Sequence, residues 1–350
     1  MKRTDNLKQL AIKQNKPSNF VIFNQTNLIY FTNFSGATAL LVPEQGESIL
    51  YVSGVNYEQA KAEAKGVTVE LLKRGENLME KIAEQAPNKK FSADSLPVES
   101  WRALAKAVGG EEKLESISGL IRELRCVKDT EEIKLIREAC RLATIGMQTA
   151  KEIMWLGTKE KDAAAEIEYA MRKAGSDGVA FETIVASGAT SAYPHGSNLE
   201  RTIRDGDFVI VDIGATHKFY RSDLTRTFIA SKATYHQAAI YDAVKLAHDK
   251  ALEAIKPQVA AAEVDVVARR VIEEAGFGEF FVHNLGHGVG LEVHEAPILS
   301  PDSKDILAIG NVVTDEPGIY VPGLGGVRIE DTVLVTKNGA EVLTVGPCMP

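Results

Sequence analysis

Asp212, Asp223, His287, Glu316 and Glu330 gather four carboxylates and one imidazole in the second half of the chain, each in a context that reads as strand or tight turn. Oxygen-rich donors with a single imidazole suit hard divalent cations, and five such groups make a ligand set for two ions. The first pair can be placed from its surroundings. Val209-Ile210-Val211-Asp212-Ile213 and Asp223-Leu224-Thr225-Arg226-Thr227-Phe228-Ile229 are strand-like, and Thr216-His217-Lys218-Phe219-Tyr220 connects them. An antiparallel hairpin centred on His217-Lys218 sets Asp212 directly opposite Asp223, with Cβ atoms about 5 Å apart. Carboxylates at that spacing can hold metals about 3.5–4 Å apart. Facing like charges destabilise a strand pair, so a compensating cation is the simplest reason for them. Glu316 and Glu330 lie symmetrically about Gly323, within the turn-forming segment Val321-Pro322-Gly323-Leu324-Gly325-Gly326. A second hairpin there opposes two more acids. His287 stands in His283-Asn284-Leu285-Gly286-His287-Gly288-Val289-Gly290, where glycines let backbone and imidazole approach an ion closely.

The surrounding segments are Val211-Asp212-Ile213-Gly214, Ser222-Asp223-Leu224-Thr225-Arg226-Thr227, Gly286-His287-Gly288-Val289-Gly290, Glu316-Pro317-Gly318-Ile319-Tyr320 and Val327-Arg328-Ile329-Glu330-Asp331-Thr332. Together they resemble the metal-binding pattern of the M24 metallopeptidases of the pita-bread fold. Within that family the chain looks like the proline-specific branch, the Xaa-Pro dipeptidases (prolidases) and aminopeptidases P. The resemblance implies two divalent ions on Asp212, Asp223, His287, Glu316 and Glu330, manganese first, with cobalt or zinc as replacements. Such ions lower the pKa of a shared water for attack on a peptide carbonyl. It also makes Glu316 the proton shuttle. It places His195 (in Tyr193-Pro194-His195-Gly196), His283 and His294 along the substrate groove, His294 donating to the oxyanion. Arg328 corresponds to an arginine that orients Asp212, and Tyr320 does similar work near the shuttle. His217, His236 and His248 match no family position and read as surface.

Two departures limit the reading. Short prolidases carry an arginine a few residues after a Val-His-Glu segment, where it binds the free carboxylate of a dipeptide. In His294-Glu295-Ala296-Pro297-Ile298-Leu299 the approximate place is taken by Ile298. Without a planar bidentate donor, the expectation leans to an aminopeptidase P that accepts longer Xaa-Pro peptides, with a prolidase as the alternative. Arg201 or Arg204 could still supply the charge. Asp315 is an acid where the family usually has an apolar residue; on a strand it points away from Glu316, and if buried it needs a partner. Other classes are weaker. A metal-free amidinohydrolase of the creatinase kind lacks the ligands intact here. A methionine aminopeptidase generally lacks an N-terminal domain like the one read below, and a non-catalytic pita-bread binding protein tends to lose ligands.

The elements that must position these residues read as an α/β (α+β) protein of two domains. Residues 1–125 alternate strand signals (Asn19 to Phe23, Ala37 to Val42, Ser48 to Val52) with helical ones such as Asn56 to Ala64. The segment Asn27 to Gly36 resembles the start of a creatinase-like N-terminal α/β domain. Residues 126–350 take the pita-bread catalytic domain: a helix capped by Asp129 or Thr130 runs to about Met154, and further helices cover Lys161 to Lys173 and Tyr235 to Ile255. Two αβ halves would then bring the Asp pair and the Glu pair face to face. The 350 residues, 45% hydrophobic and 25% charged, can bury a large core. A net charge of −8 argues against nucleic-acid or anionic-membrane partners, and no window supplies the roughly 20 apolar residues of a membrane span. Met1-Lys2-Arg3-Thr4-Asp5-Asn6 leads into a polar helix, not an apolar leader core. Cys126, Cys140 and Cys348 are widely spaced and odd in number, so neither a disulfide framework nor a cysteine zinc site is expected. A reducing cytoplasm fits. Small proline-containing peptides are the expected partners, and the family resemblance implies a homodimer.

Overall fold

The computed structural model describes residues 3–86, 89–153, 156–196 and 200–347; Met154 and Cys348 lie outside them. The chain divides into two compact units, Met1–Arg125 and Cys126–Pro350. In the first, the described residues form a six-stranded mixed sheet in the order Thr68–Leu72, Ile49–Ser53, Ala39–Val42, Phe20–Ile22, Phe91–Ala93, Leu114–Ser116. Its strands are apolar on the face that meets the helices Leu78–Gln85 and Val98–Val108, so Val21, Leu41, Tyr51 and Phe91 bury against Ile82 and Leu104. The helix Gln25–Thr32 is bounded by local chemistry: the Asn24 side chain accepts from Asn27 N–H at its start, and Asn33 ends it at φ 55°.

The second unit has two αβ halves. In one, the strands Leu224–Ile229, Phe208–Ile213 and Ile184–Ser187 form a sheet covered by the helices Thr130–Ile153 and Glu160–Lys173. The Asp129 carboxylate accepts from the N–H groups of Glu131 and Glu132, both at 2.9 Å, while Glu132 accepts from Asp129 N–H at 2.9 Å. This reciprocal cap starts the first helix. Alternation along Phe208–Ile213 sends Val209, Val211 and Ile213 into the core with Leu142, Met147, Ile167 and Met171, which leaves Asp212 for the other face.

The other half has a five-stranded sheet, ordered Glu295–Leu299, Gly286–Gly288, Val312–Asp315, Asp331–Thr336, Gly339–Val342, and a hairpin of Gly318–Val321 with Gly325–Arg328. The helices Tyr235–Ala254 and Ala261–Glu274 pack on it through Ile240, Val244, Ala251, Val264 and Ile272. No described helix is long and apolar enough to cross a membrane.

The two halves are stitched by hydroxyl and guanidinium groups of Thr225, Arg226 and Thr227. Thr225 donates to Glu330 Oε2 at 2.6 Å, Thr227 donates to Arg328 O at 2.9 Å, and Arg226 reaches Glu330 O at 2.6 Å and Asp331 at 2.9 Å. Because these residues and the segment Arg328–Thr332 flank the acids, the same bonds that join the halves also fix the distance between them.

Candidate metal centre

Lys218 and Phe219 both take positive φ, 46° and 75°, so the first hairpin turns on these two residues in the manner of a type I′ turn. His217 pairs with Tyr220, and the same register carries on to put Asp212 opposite Thr225. The expected hairpin centred on His217-Lys218, with two aspartates directly opposed, is therefore corrected: moving the turn centre by one residue moves each partner by two. Asp223 becomes a diagonal neighbour of Asp212, still on its face. The ladder also breaks there. Ser222 Oγ accepts from Ala215 N–H at 3.0 Å, while Asp223 N–H donates to Thr332 Oγ1 at 3.2 Å and its carbonyl accepts the Thr332 hydroxyl at 2.7 Å.

Around Gly323, Gly318 pairs with Arg328 on one side and Asp315 with Asp331 on the other. This common register leaves Glu316 opposite Glu330 in the gap between two ladders, and Glu316 N–H donates to Leu285 O at 2.9 Å. His287 lies between two glycines that admit close backbone neighbours: a Cβ on Gly286 would run into Thr314 O, and one on Gly288 into Ala296 O. His287 N–H donates to Thr314 Oγ1 at 3.0 Å, and the Thr314 hydroxyl donates to Glu316 Oε1 at 3.1 Å.

Asp223, His287 and Glu330 present ligand atoms that all lie within 4.8 Å of one another. Glu316 Oε1 stands 3.2 Å from His287 Nε2, and Asp223 Oδ2 stands 3.8 Å from it. Asp212 shares the cavity; Arg328 holds its Oδ2 at 2.6 Å, and its buried Oδ1 has no hydrogen-bond partner. Burial raises the Asp223 and Glu330 carboxyls well above the usual range, and the charge of a neighbouring acid, Asp212 for Asp223 and Asp223 for Glu330, adds to the rise. Burial would push Glu316 up and His287 down, but their contact outweighs it, holding Glu316 at about 2 and His287 at about 9. Crowded buried carboxylates, one imidazole and an orphaned carboxylate oxygen match the donors that divalent cations take. The residues present fit such a centre.

Arg328 ties the centre to its surroundings. It donates to Asp212 at 2.6 Å, to Tyr320 Oη at 2.8 Å and to Thr225 Oγ1 at 3.2 Å. With Arg328 donating to it, the Tyr320 hydroxyl gives its own proton to His283 Nε2 at 2.8 Å, and His283 Nδ1–H donates to Asn284 O at 2.7 Å. That order assigns a neutral His283 tautomer by its partners, consistent with burial lowering its pKa. His195, His283 and His294 all line the cavity of about 350 Å³ that holds the four acids and the His287 imidazole, alongside Phe181, Ile184, Pro194, Val293 and Ile298. The ring of His294 packs 4.3 Å from that of His287.

Some sequence expectations do not survive. Arg201 is committed to Asp207 at 2.5 and 3.0 Å, and neither it nor the exposed Arg204 lines the cavity, so neither supplies charge there. His248, expected at the surface, is 6% exposed, with Nε2 3.1 Å from Asp331 Oδ2 and 3.9 Å from Asp315 Oδ2. It faces the buried Asp315 at ion-pair distance, while both carboxylate oxygens of Asp315 stay without a hydrogen-bond partner. Thr225, Thr314 and Thr332 do not stand out in the sequence, because isolated threonines on strands are ordinary. The available signal was that each falls within two residues of an acid or its strand partner.

Residues 134–337 match the metallopeptidase family M24, and residues 3–127 match the creatinase/prolidase N-terminal domain. The chain belongs to metallopeptidase family M24. It is a hydrolase with a creatinase N-terminal domain and an M24 catalytic domain, and a divalent metal centre is the family's property. The chain is 39% identical to an Xaa-Pro dipeptidase of Pyrococcus furiosus over 337 residues, 95% of this chain and 94% of the relative. The prolidase from Pyrococcus horikoshii OT3 superposes with a TM-score of 0.92 at 37% identity, covering 99% of both chains. An X-Pro aminopeptidase from Thermotoga maritima gives 0.88 at 33% identity, over 99% of this chain and 98% of that one. This M24 fold thus serves proteins named for both specificities.

Proposed function

We propose that this M24 peptidase hydrolyses the bond between an N-terminal residue and proline through a two-metal centre on Asp212, Asp223, His287, Glu316 and Glu330, with dipeptides as its preferred substrates. The observation that carries the reading is the convergence of all five on one cavity, in a chain similar to Xaa-Pro dipeptidases over nearly its whole length. Ile298 alone points toward aminopeptidase P; the relatives favour the dipeptidase instead. The cavity measures about 350 Å³, within the range of small-ligand sites. Its apolar wall of Phe181, Ile184, Val293 and Ile298 suits a pyrrolidine ring. The division of the chain at Arg125 supports 1–125 and 126–350 as the domain bounds.

Bound divalent ions, manganese first, would polarise the scissile carbonyl and acidify the attacking water. Glu316 takes the water's proton and passes it to the proline nitrogen as the C–N bond breaks; the Thr314 hydroxyl fixes its Oε1 for that exchange. Burial lowers the pKa of His294 and so favours its neutral form, and its N–H donates to the developing oxyanion. Arg328 holds Asp212 and Tyr320 in place, and Tyr320 fixes the His283 ring on the cavity wall. His195, exposed at that wall, faces substrate.

The test is hydrolysis of Ala-Pro beside Ala-Pro-Ala by manganese-loaded protein, with a chelated control. Faster cleavage of the dipeptide, lost on chelation, is expected. Preferential cleavage of the tripeptide would make the chain an aminopeptidase P. Turnover of neither, or release of methionine from peptides without proline, would sink the reading.

A further inference from the structure

Lys128 is 4% exposed, and its ammonium lies 2.6 Å from Glu295 Oε1. Neither residue lines the cavity, and the chemistry above uses neither. An ion pair taken out of water is a weak source of stability, because desolvation offsets most of the attraction. What such a pair does supply is geometry.

The lysine end is firmly anchored. Lys128 N–H donates to Gly310 O at 2.9 Å, and Asn311 Nδ2 donates to the carbonyl of Cys126 at 2.9 Å. The next residue, Asp129, caps the long helix. The glutamate end directly follows His294 and opens the strand Glu295–Leu299. Glu295 Oε2 accepts Glu292 N–H at 3.4 Å, and Gly290 N–H donates to Glu292 O at 3.0 Å. A Cβ on Gly290 would run into the Glu295 carboxylate, so the loop Gly290–His294 folds back tightly over that side chain. The loop is also tied to the aspartate hairpin, since Arg221 N–H donates to Gly290 O at 2.9 Å. Glu295 therefore sits at the hub of the loop that presents His294, and Lys128 pins the hub to a fixed part of the domain.

We propose that Lys128, acting through Glu295, is a positioning residue for His294, setting where its N–H points in the cavity. The inference rests on the reading of His294 as the oxyanion donor. Lys128→Met takes the lysine cation from a buried carboxylate and can fail to fold, so the double variant Lys128→Met/Glu295→Gln, which removes both charges, is made beside it, together with Lys128→Arg as the conservative replacement. Each is assayed with manganese on whichever of Ala-Pro and Ala-Pro-Ala the wild-type chain hydrolyses faster, and its metal content is counted. The folded charge-free variant should lose roughly 10- to 100-fold in kcat, the scale of an ångström-sized misplacement, with metal content unchanged and activity largely restored in Lys128→Arg. In a His294→Ala background the same change should cost less than about twofold, because coupled residues are not additive. A wild-type kcat in the charge-free variant, or a full loss that persists without His294, overturns the proposal while leaving the peptidase reading intact. An unchanged kcat in His294→Ala alone would instead remove the His294 role on which the proposal stands.

Discussion

At the scale of single residues, hydroxyl groups keep the acidic cluster in order. Thr225 joins two residues there: it donates to Glu330 at 2.6 Å and accepts from Arg328 at 3.2 Å. Groups that hold metal ligands this way are typically worth 10- to 100-fold in affinity. Thr225→Val, similar in shape but without the hydroxyl, should weaken manganese binding by about that factor in a metal titration; unchanged affinity would assign Thr225 to domain packing alone. His248 makes a different prediction. Burial alone would lower its pKa, but Asp315 and Asp331 outweigh burial and raise it above 6.5. The folded state thus holds the His248 proton more tightly than the unfolded chain, a stabilisation fully present below pH 6.5 and lost as pH rises through the higher folded pKa. His248→Gln should lower the melting temperature most near pH 6 and progressively less toward alkaline pH. A gap that widens with pH would contradict the raised pKa. The sequence did carry a signal for this histidine. Ile240, Tyr241, Val244, Ala247, His248 and Ala251 share the buried stripe of the helix Tyr235–Ala254, which a match to family positions alone overlooked.

At the scale of elements, the two hairpins differ in how openly the sequence declared them. Glycine and proline mark the turn at Gly323, and the register about it puts Glu316 opposite Glu330. Lys218 and Phe219 carry no such mark, because neither residue favours the left-handed conformation they adopt at φ 46° and 75°. Hence the turn centre, and with it the partner of Asp212, was misplaced while the strands themselves were legible from their β-branched runs. Strain at such positions is of the order of 1–3 kcal/mol each. Replacing the pair by Lys218→Asn/Phe219→Gly, the residues that type I′ turns prefer, should raise stability by about 1 kcal/mol in urea unfolding, and Phe219 is already 38% exposed, so little burial is lost. Destabilisation by the swap would mean that Phe219 does more than close the turn. The pairing of Lys128 with Glu295 had no local signature at all, since the two lie far apart in the chain and only the fold brings them within 2.6 Å.

At the scale of the whole molecule, a small mixed α/β unit precedes a unit of two interlocked αβ halves, and every residue assigned to the metal centre belongs to the second. Side chains from both halves converge there, the Asp212 and Asp223 carboxylates from one and the His287 imidazole with the Glu316 and Glu330 carboxylates from the other. A cation among them would therefore join the halves and stabilise the fold by mass action. The most direct measurement is the manganese content, melting temperature and peptidase activity of the wild-type chain beside Asp223→Asn. Two ions per wild-type chain, a melting temperature that falls on chelation, and a folded variant that loses metal and activity together are the predicted results. An Asp223→Asn protein that remains fully metal-loaded and active would contradict the ligand assignment at its centre.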